Sequence, residues 1–179
     1  MRTEIQIAGF GGQGMVLAGM LLGKAASLYD GKEAVFTQSY GPEARGGASC
    51  ANVVIEDIPV DFPLVTKPDI LVAMFQEAYA KYRPRLKKGG TLILDTGLVK
   101  PETADRKCAG LPATRVAEEL GRRIVANVVM FGYVVGLTGV ISREAAEKAI
   151  HSTVKPKTVN LNLKAFAAGF DRAREKVTA

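Results

Sequence analysis

Gly9, Gly11 and Gly14 stand at GxGxxG spacing in "GFGGQGM", residues 9–15, between an alternating apolar stretch and a helical pattern. In that setting the glycines permit a tight turn and the close approach of a ligand, and the following helix offers unpaired N–H groups to a phosphate. A dinucleotide-binding domain also needs an Asp or Glu at the end of its second strand to hold the ribose hydroxyls. Here that strand ends Thr37-Gln38-Ser39, and Asp30 and Glu33 lie at its beginning, the wrong end for the role. NAD or FAD binding is therefore disfavoured. Two readings of the loop stay open: a seat for another phosphate-bearing ligand or a partner segment, and a purely structural turn.

A second glycine segment, "QSYGPEARGGAS", occupies residues 38–49. A simple chain reversal needs only Gly, Pro or Asn, whereas Tyr40, Glu43 and Arg45 add hydrogen-bonding and stacking capacity. Glu43 and Arg45 can also simply pair with each other at a surface. The remaining chemistry is sparse. Cys50 and Cys108 belong to no CxxC, and His151 is the only histidine. The chain by itself cannot supply the four ligands of an iron–sulfur cluster or a structural zinc, and two reduced thiols are expected.

The elements that must position these residues follow from periodicity. Residues 4–10 alternate as a strand; residues 15–28 carry apolar side chains at helical spacing, with Gly31 to end the helix; residues 33–39 and 48–56 read as strands. Residues 57–63 are expected to form a hairpin or a sheet edge. The run 68–75, the helical 76–86 and the strand 90–96 make a βαβ signature. A short strand at 107–112 leads into a helix at 113–121. Residues 127–139 read as a helix buried on nearly all faces, 142–154 as a helix capped by Ser142, and 157–177 as a final amphipathic helix. The expectation is an α/β fold: one domain over 1–179, with a mostly parallel sheet flanked by helices and a Rossmann-like strand, glycine loop and helix at its start.

At 179 residues and 47% hydrophobic the chain can bury one ordinary core. No apolar run approaches the roughly 20 residues of a membrane span, and the N-terminus has no signal-peptide pattern. No membrane association and a cytoplasmic location are expected. The net charge of +6 admits anionic partners. Its densest cluster, "KYRPRLKK" at residues 81–88, reads as the solvated end of a helix, and a nucleic-acid role has no module to support it.

"GFGGQG" followed by "QSYGPEARGG" resembles the gamma subunit of 2-oxoacid:ferredoxin oxidoreductases, thiamine-diphosphate enzymes that convert a 2-oxoacid and coenzyme A to acyl-CoA and CO2 while reducing ferredoxin. The resemblance extends through "VTKPDILVAMFQEAYAKY", "NVVMFGYVVGLTG" and "PKTVNLNLKAF", nearly the whole chain. It implies a compact domain that docks on the thiamine-binding alpha and beta subunits, with a ferredoxin-like delta subunit as a further partner and self-association when isolated. It implies that thiamine diphosphate, Mg, iron–sulfur clusters and coenzyme A serve the complex while this chain alone holds none, and that the isolated chain is inactive. Gly11, Gly12, Gln13 and Gly14 match the family's first loop; Tyr40, Gly41, Pro42, Glu43, Arg45, Gly46 and Gly47 match the second, both near the coenzyme A approach, with no catalytic or metal residue on this chain. Within the family the second loop is similar to the 2-oxoglutarate branch, ahead of the branched-chain and pyruvate branches. The alternative is a stand-alone nucleotide-binding enzyme using GxGxxG.

Overall fold

The computed structural model describes residues 1–39, 48–105 and 108–178, with side chains up to residue 175. Six strands form one sheet: β1 (Arg2–Phe10), β2 (Glu33–Ser39), β3 (Ala48–Glu56), β4 (Ile70–Ala73), β5 (Thr91–Asp95) and β6 (Ala109–Leu111). The spatial order is β2-β3-β1-β4-β5-β6. β1, β4, β5 and β6 pair in parallel, while β3 lies antiparallel to both β1 and β2. Five strands thus share a direction and β3 alone opposes them, so the sheet is mostly parallel as expected. Strand, glycine loop and helix follow one another at the start of the chain. The neighbour of β1 on that side is nevertheless β3, whereas a doubly wound dinucleotide fold keeps parallel strands side by side there.

Alternation along the strands sorts the core into two layers. Ile5, Ile7, Ala51, Val53, Ile55, Ile70, Val72, Ile93 and Leu111 face a large apolar cluster. That cluster is completed by helices α1 (Met15–Lys24), α3 (Ala113–Glu119), α4 (Ala126–Thr138), α5 (Arg143–Thr153) and α6 (Val159–Thr178). Ala8, Leu71, Ala73, Leu92 and Leu94 point the other way, against Ala78, Tyr79 and Tyr82 of α2 (Gln76–Tyr82).

Local chemistry accounts for several of these elements, and two depart from the pattern expected of the sequence. Ser142 caps α5 by accepting a hydrogen bond from the Ala145 N–H at 3.1 Å. Helix α4 is buried from Ala126 to Gly136, which explains why its sequence is apolar on every face. The α1 pattern, expected to run to residue 28, leaves α-helical geometry at Lys24 and continues as a π-helical segment, Ala25–Tyr29. Residues 57–63 form no strand; they pass as an exposed strap to Thr66 and Lys67, whose N–H groups the buried Glu4 carboxylate accepts at 3.1 and 3.4 Å.

Candidate functional site

The carboxyl ends of the parallel strands gather the sequence's chemistry on one edge. β1 ends at Phe10, and the register Phe10↔Ala48 and Ser39↔Cys50 brings both flanks of the second glycine segment to that same edge. Residues 40–47, and with them Tyr40, Gly41, Pro42, Glu43, Arg45, Gly46 and Gly47, lie outside the described residues. The first loop is described in full. Gly11 and Gly12 are exposed, and Gly12 sits at φ +98°, a conformation side chains resist.

Gln13, matched to the family's first loop, is hydrogen-bonded at both ends of its amide. Its side-chain oxygen accepts the Phe10 N–H at 2.6 Å, and its side-chain nitrogen donates to the Met74 carbonyl at 3.1 Å. Both ends of the amide are thereby committed to the scaffold. Gly14 opens α1 at φ +79°, and its carbonyl accepts from Asn127 Nδ2 at 3.0 Å. A Cβ at Gly14 would stand 2.4 Å from that nitrogen, so a side chain there would displace the Asn127 amide as well as strain the backbone at this φ. Asn127, buried at the start of α4, was not legible as a site residue; its one signal is that it is a polar residue heading an otherwise apolar helix.

Beside the loop lies a cavity of about 300 Å³ lined by Gly12, Gln13, Met74, Arg123, Ile124 and Ala126. Its rim is apolar and cationic. Ile124 is 77% exposed, and Phe10, packed on Phe75 with ring centroids 5.3 Å apart, is 36% exposed. Arg123 lies 3.8 Å from Glu118 at the surface, a weak restraint in water. A larger hollow of about 730 Å³ opens at the opposite edge of the sheet, but two of its cations are occupied, Lys87 by Asp69 and Arg2 by Glu4 and Glu56.

The other candidate groups serve the fold. Asp30 accepts the Ser142 N–H at 3.0 Å, joining the start of β2 to α5. The basic cluster at 81–88 is no simple solvated helix end, because its long side chains reach back to the scaffold. Arg83 donates twice to Asp105, at 2.5 and 2.6 Å; Arg85 donates to the Val65 carbonyl at 3.1 Å; Lys87 pairs with Asp69 at 2.7 Å. Tyr79 also donates to Asp105, at 2.6 Å. The bonds from Arg83 hold the Asp105 carboxyl below its ordinary range, and burial, then the bond to Asp105, raises Tyr79. Burial, then a hydrogen bond with Cys50, raises Tyr82 further still. Cys50 is buried and Cys108 half-buried, neither is in a disulfide, and His151 is exposed on α5. Among the described residues no three His, Cys, Asp or Glu side chains gather as a metal site, and no helix is long and apolar enough to cross a membrane.

An α/β domain that brings one glycine loop and both flanks of a second to one sheet edge, with β2 ending in Thr37-Gln38-Ser39 where a dinucleotide site has an acid, has a counterpart among known families. The model of the pyruvate ferredoxin/flavodoxin oxidoreductase family matches residues 4–172, and the chain belongs to that family. Within it, the chain is 53% identical to the 2-oxoglutarate synthase subunit KorC of Methanocaldococcus jannaschii, over 98% of this chain and 96% of that one. The gamma subunit of keto/oxoacid ferredoxin oxidoreductase from Geobacter sulfurreducens PCA superposes with a TM-score of 0.86 at 48% identity, over 97% of each chain. A 2-oxoglutarate:ferredoxin oxidoreductase from Magnetococcus marinus, solved with 2-oxoglutarate, coenzyme A and succinyl-CoA bound, shares the fold. It superposes at TM-score 0.88 and 23% identity, over 97% of this chain and 31% of that longer one. The resemblance read from the glycine segments, gamma subunit and 2-oxoglutarate branch alike, is borne out.

Proposed function

We propose that this chain is the gamma subunit of a 2-oxoglutarate:ferredoxin oxidoreductase, which converts 2-oxoglutarate and coenzyme A to succinyl-CoA and CO2 while reducing ferredoxin. The observation that carries the reading is the full-length identity to the 2-oxoglutarate synthase subunits, 53% and 56% in two methanogens. The chain docks through its glycine-loop edge on alpha and beta subunits, with a ferredoxin-like delta subunit as a further partner, and works in the cytoplasm. Thiamine diphosphate, Mg and the iron–sulfur clusters belong to those partners: the described residues offer neither a carboxylate set for a metal diphosphate nor cluster cysteines.

Coenzyme A, a substrate of the complex, suits this edge better. Bare backbone at Gly11 and Gly12 permits close approach, Phe10 and Ile124 offer apolar surface, and Arg123 offers a cation to a phosphate. Gly14 completes that loop, and Tyr40, Gly41, Pro42, Glu43, Arg45, Gly46 and Gly47 supply the second half of the edge in this reading. Residues 1–179 act as one domain. Reconstitution tests the proposal. The isolated chain should turn over no 2-oxoglutarate, and a complex purified without it should regain coenzyme A-dependent ferredoxin reduction when it is added. Failure to restore activity, or NAD binding by the isolated chain tighter than about 100 μM, within the usual range of working cofactor sites, overturns it.

A further inference from the structure

Four residues, Gly11 to Gly14, connect β1 to α1, and three of them are glycines. Glycine loses more conformational freedom on ordering than any other residue, so such a loop left to itself samples many shapes. Two buried or half-buried amides prevent that here. Gln13 ties the loop to the ends of two strands: it accepts from Phe10 of β1 and donates to Met74, whose own N–H donates to the Ala8 carbonyl at 2.9 Å. One partner is a donor and the other an acceptor, so the amide has a single orientation that satisfies both. Asn127 ties the other end. Its nitrogen and the Ala18 N–H, at 3.1 Å, share the Gly14 carbonyl, and Asn127 is 3% exposed. Between the two ties, Gly11 and Gly12 are exposed, and nothing lies within 4 Å of where a Gly12 Cβ would be.

We propose that Gln13 and Asn127 are positioning residues, a two-amide clamp that holds Gly11 and Gly12 in one backbone shape for the group that seats on this edge, neither side chain touching that group. Preorganisation of this kind favours binding by removing an ordering cost from the binding step. The functional half of the inference rests on the reading of this edge as the coenzyme A and partner edge; the structural half does not.

Two measurements separate those halves. Hydrogen exchange on the isolated full-length subunit compares the wild type with Gln13→Met, which keeps the volume, and Asn127→Ala. Both substitutions should speed exchange in the segment 9–16 by roughly tenfold, with the remainder of the chain unchanged. Unaltered exchange at the loop in Gln13→Met overturns the clamp. In the reconstituted complex, each variant should raise the KM for coenzyme A about two- to tenfold with kcat at saturation preserved, the range for one hydrogen bond. The double variant should be little worse than either single one, because both release the same loop. A rise with Gln13→Met alone, and none with Asn127→Ala, means that Gln13 contacts the ligand directly and overturns the proposal. Additive effects of the two substitutions overturn it too. Should the wild-type complex show no coenzyme A dependence, the functional reading falls, and the exchange result still decides the clamp.

Discussion

The α4–α6 crossing and the loop after β1 are both built on glycine, for opposite physical reasons. At the crossing, glycine is there for the atoms it lacks. A Cβ on Gly132 would lie 2.0 Å from the Phe166 carbonyl oxygen, and one on Gly169 would lie 1.9 Å from the Val129 carbonyl oxygen. The two helix backbones touch, and the rings of Phe131 and Phe166 close the gap beside them at 5.5 Å. At the loop, Gly12 has open space around it and is there for its backbone angle. Core glycines of the first kind hold the protein together, whereas loop glycines of the second kind keep a surface bare. A single helix serves both regions: α4 presents Asn127 to the loop at its first turn and Gly132 and Gly136 to α6 further along.

The largest effect should come from Gly169→Ala. The added carbon meets backbone, which cannot rotate away, so the helices must separate along their whole contact. Overpacking of this severity costs about 3 kcal/mol or more. For a chain of this size that lowers the melting temperature by roughly 6–12 °C, as calorimetry would read. A shift under about 2 °C, less than even 1 kcal/mol should give, would show that the crossing is looser than the distances imply, and the contrast with the loop would collapse.

Much of this was legible in the sequence, and the division has a physical basis. Strands 33–39 and 48–56 were read to their observed ends, because alternation and flanking turn residues are local signals. The all-round apolar pattern of α4 announced its burial, and Ser142 announced a cap. What could not be read was pairing across distance. Nothing near residues 48–56 says that the strand inserts antiparallel beside β1. Likewise the partners that engage the basic cluster, Asp105, Asp69 and the Val65 carbonyl, lie 18 to 22 residues away from the cations they meet. The site divides the same way. The glycines were visible from spacing, while Asn127 was not, since its partner Gly14 is 113 residues away.

A middle-sized effect belongs to a region that uses charge where the crossing uses contact. Asp105 accepts two bonds from Arg83 and one from Tyr79, pinning the segment before β6 to α2 and the turn that follows it. The Arg83 side chain is 35% exposed, so solvent screens part of the attraction. Asp105→Asn should cost about 2 kcal/mol at neutral pH. The carboxyl is depressed in the folded state, so its contribution is complete above the ordinary value near 3.8 and is lost as pH falls through the lower folded value. Denaturant unfolding of both proteins across acid pH should show the gap closing on the acid side. A gap constant down to the lowest pH would mean that Asp105 contributes by shape alone.

The smallest effect sharpens the comparison most. Gly12→Ala introduces a methyl group into empty space, so its only cost is backbone strain at φ +98°, about 1 kcal/mol. Gly31, in the turn before β2, shares both properties, with φ +64° and no atom within 4 Å of an added Cβ. If the loop after β1 is a held but unpacked surface, Gly31→Ala and Gly12→Ala should lower stability by similar small amounts in urea titrations, each several-fold less than Gly169→Ala. The two should then part company in function. Gly31 lies away from the glycine edge and should leave reconstituted activity unchanged, while a methyl on Gly12 stands on the bare backbone where a ligand or partner must approach. Gly12→Ala should therefore weaken assembly or raise the KM for coenzyme A in a subunit that folds normally. Equal function in both variants would reduce Gly12 to an ordinary turn residue and leave the α4–α6 crossing as the one place where glycine is indispensable among the two.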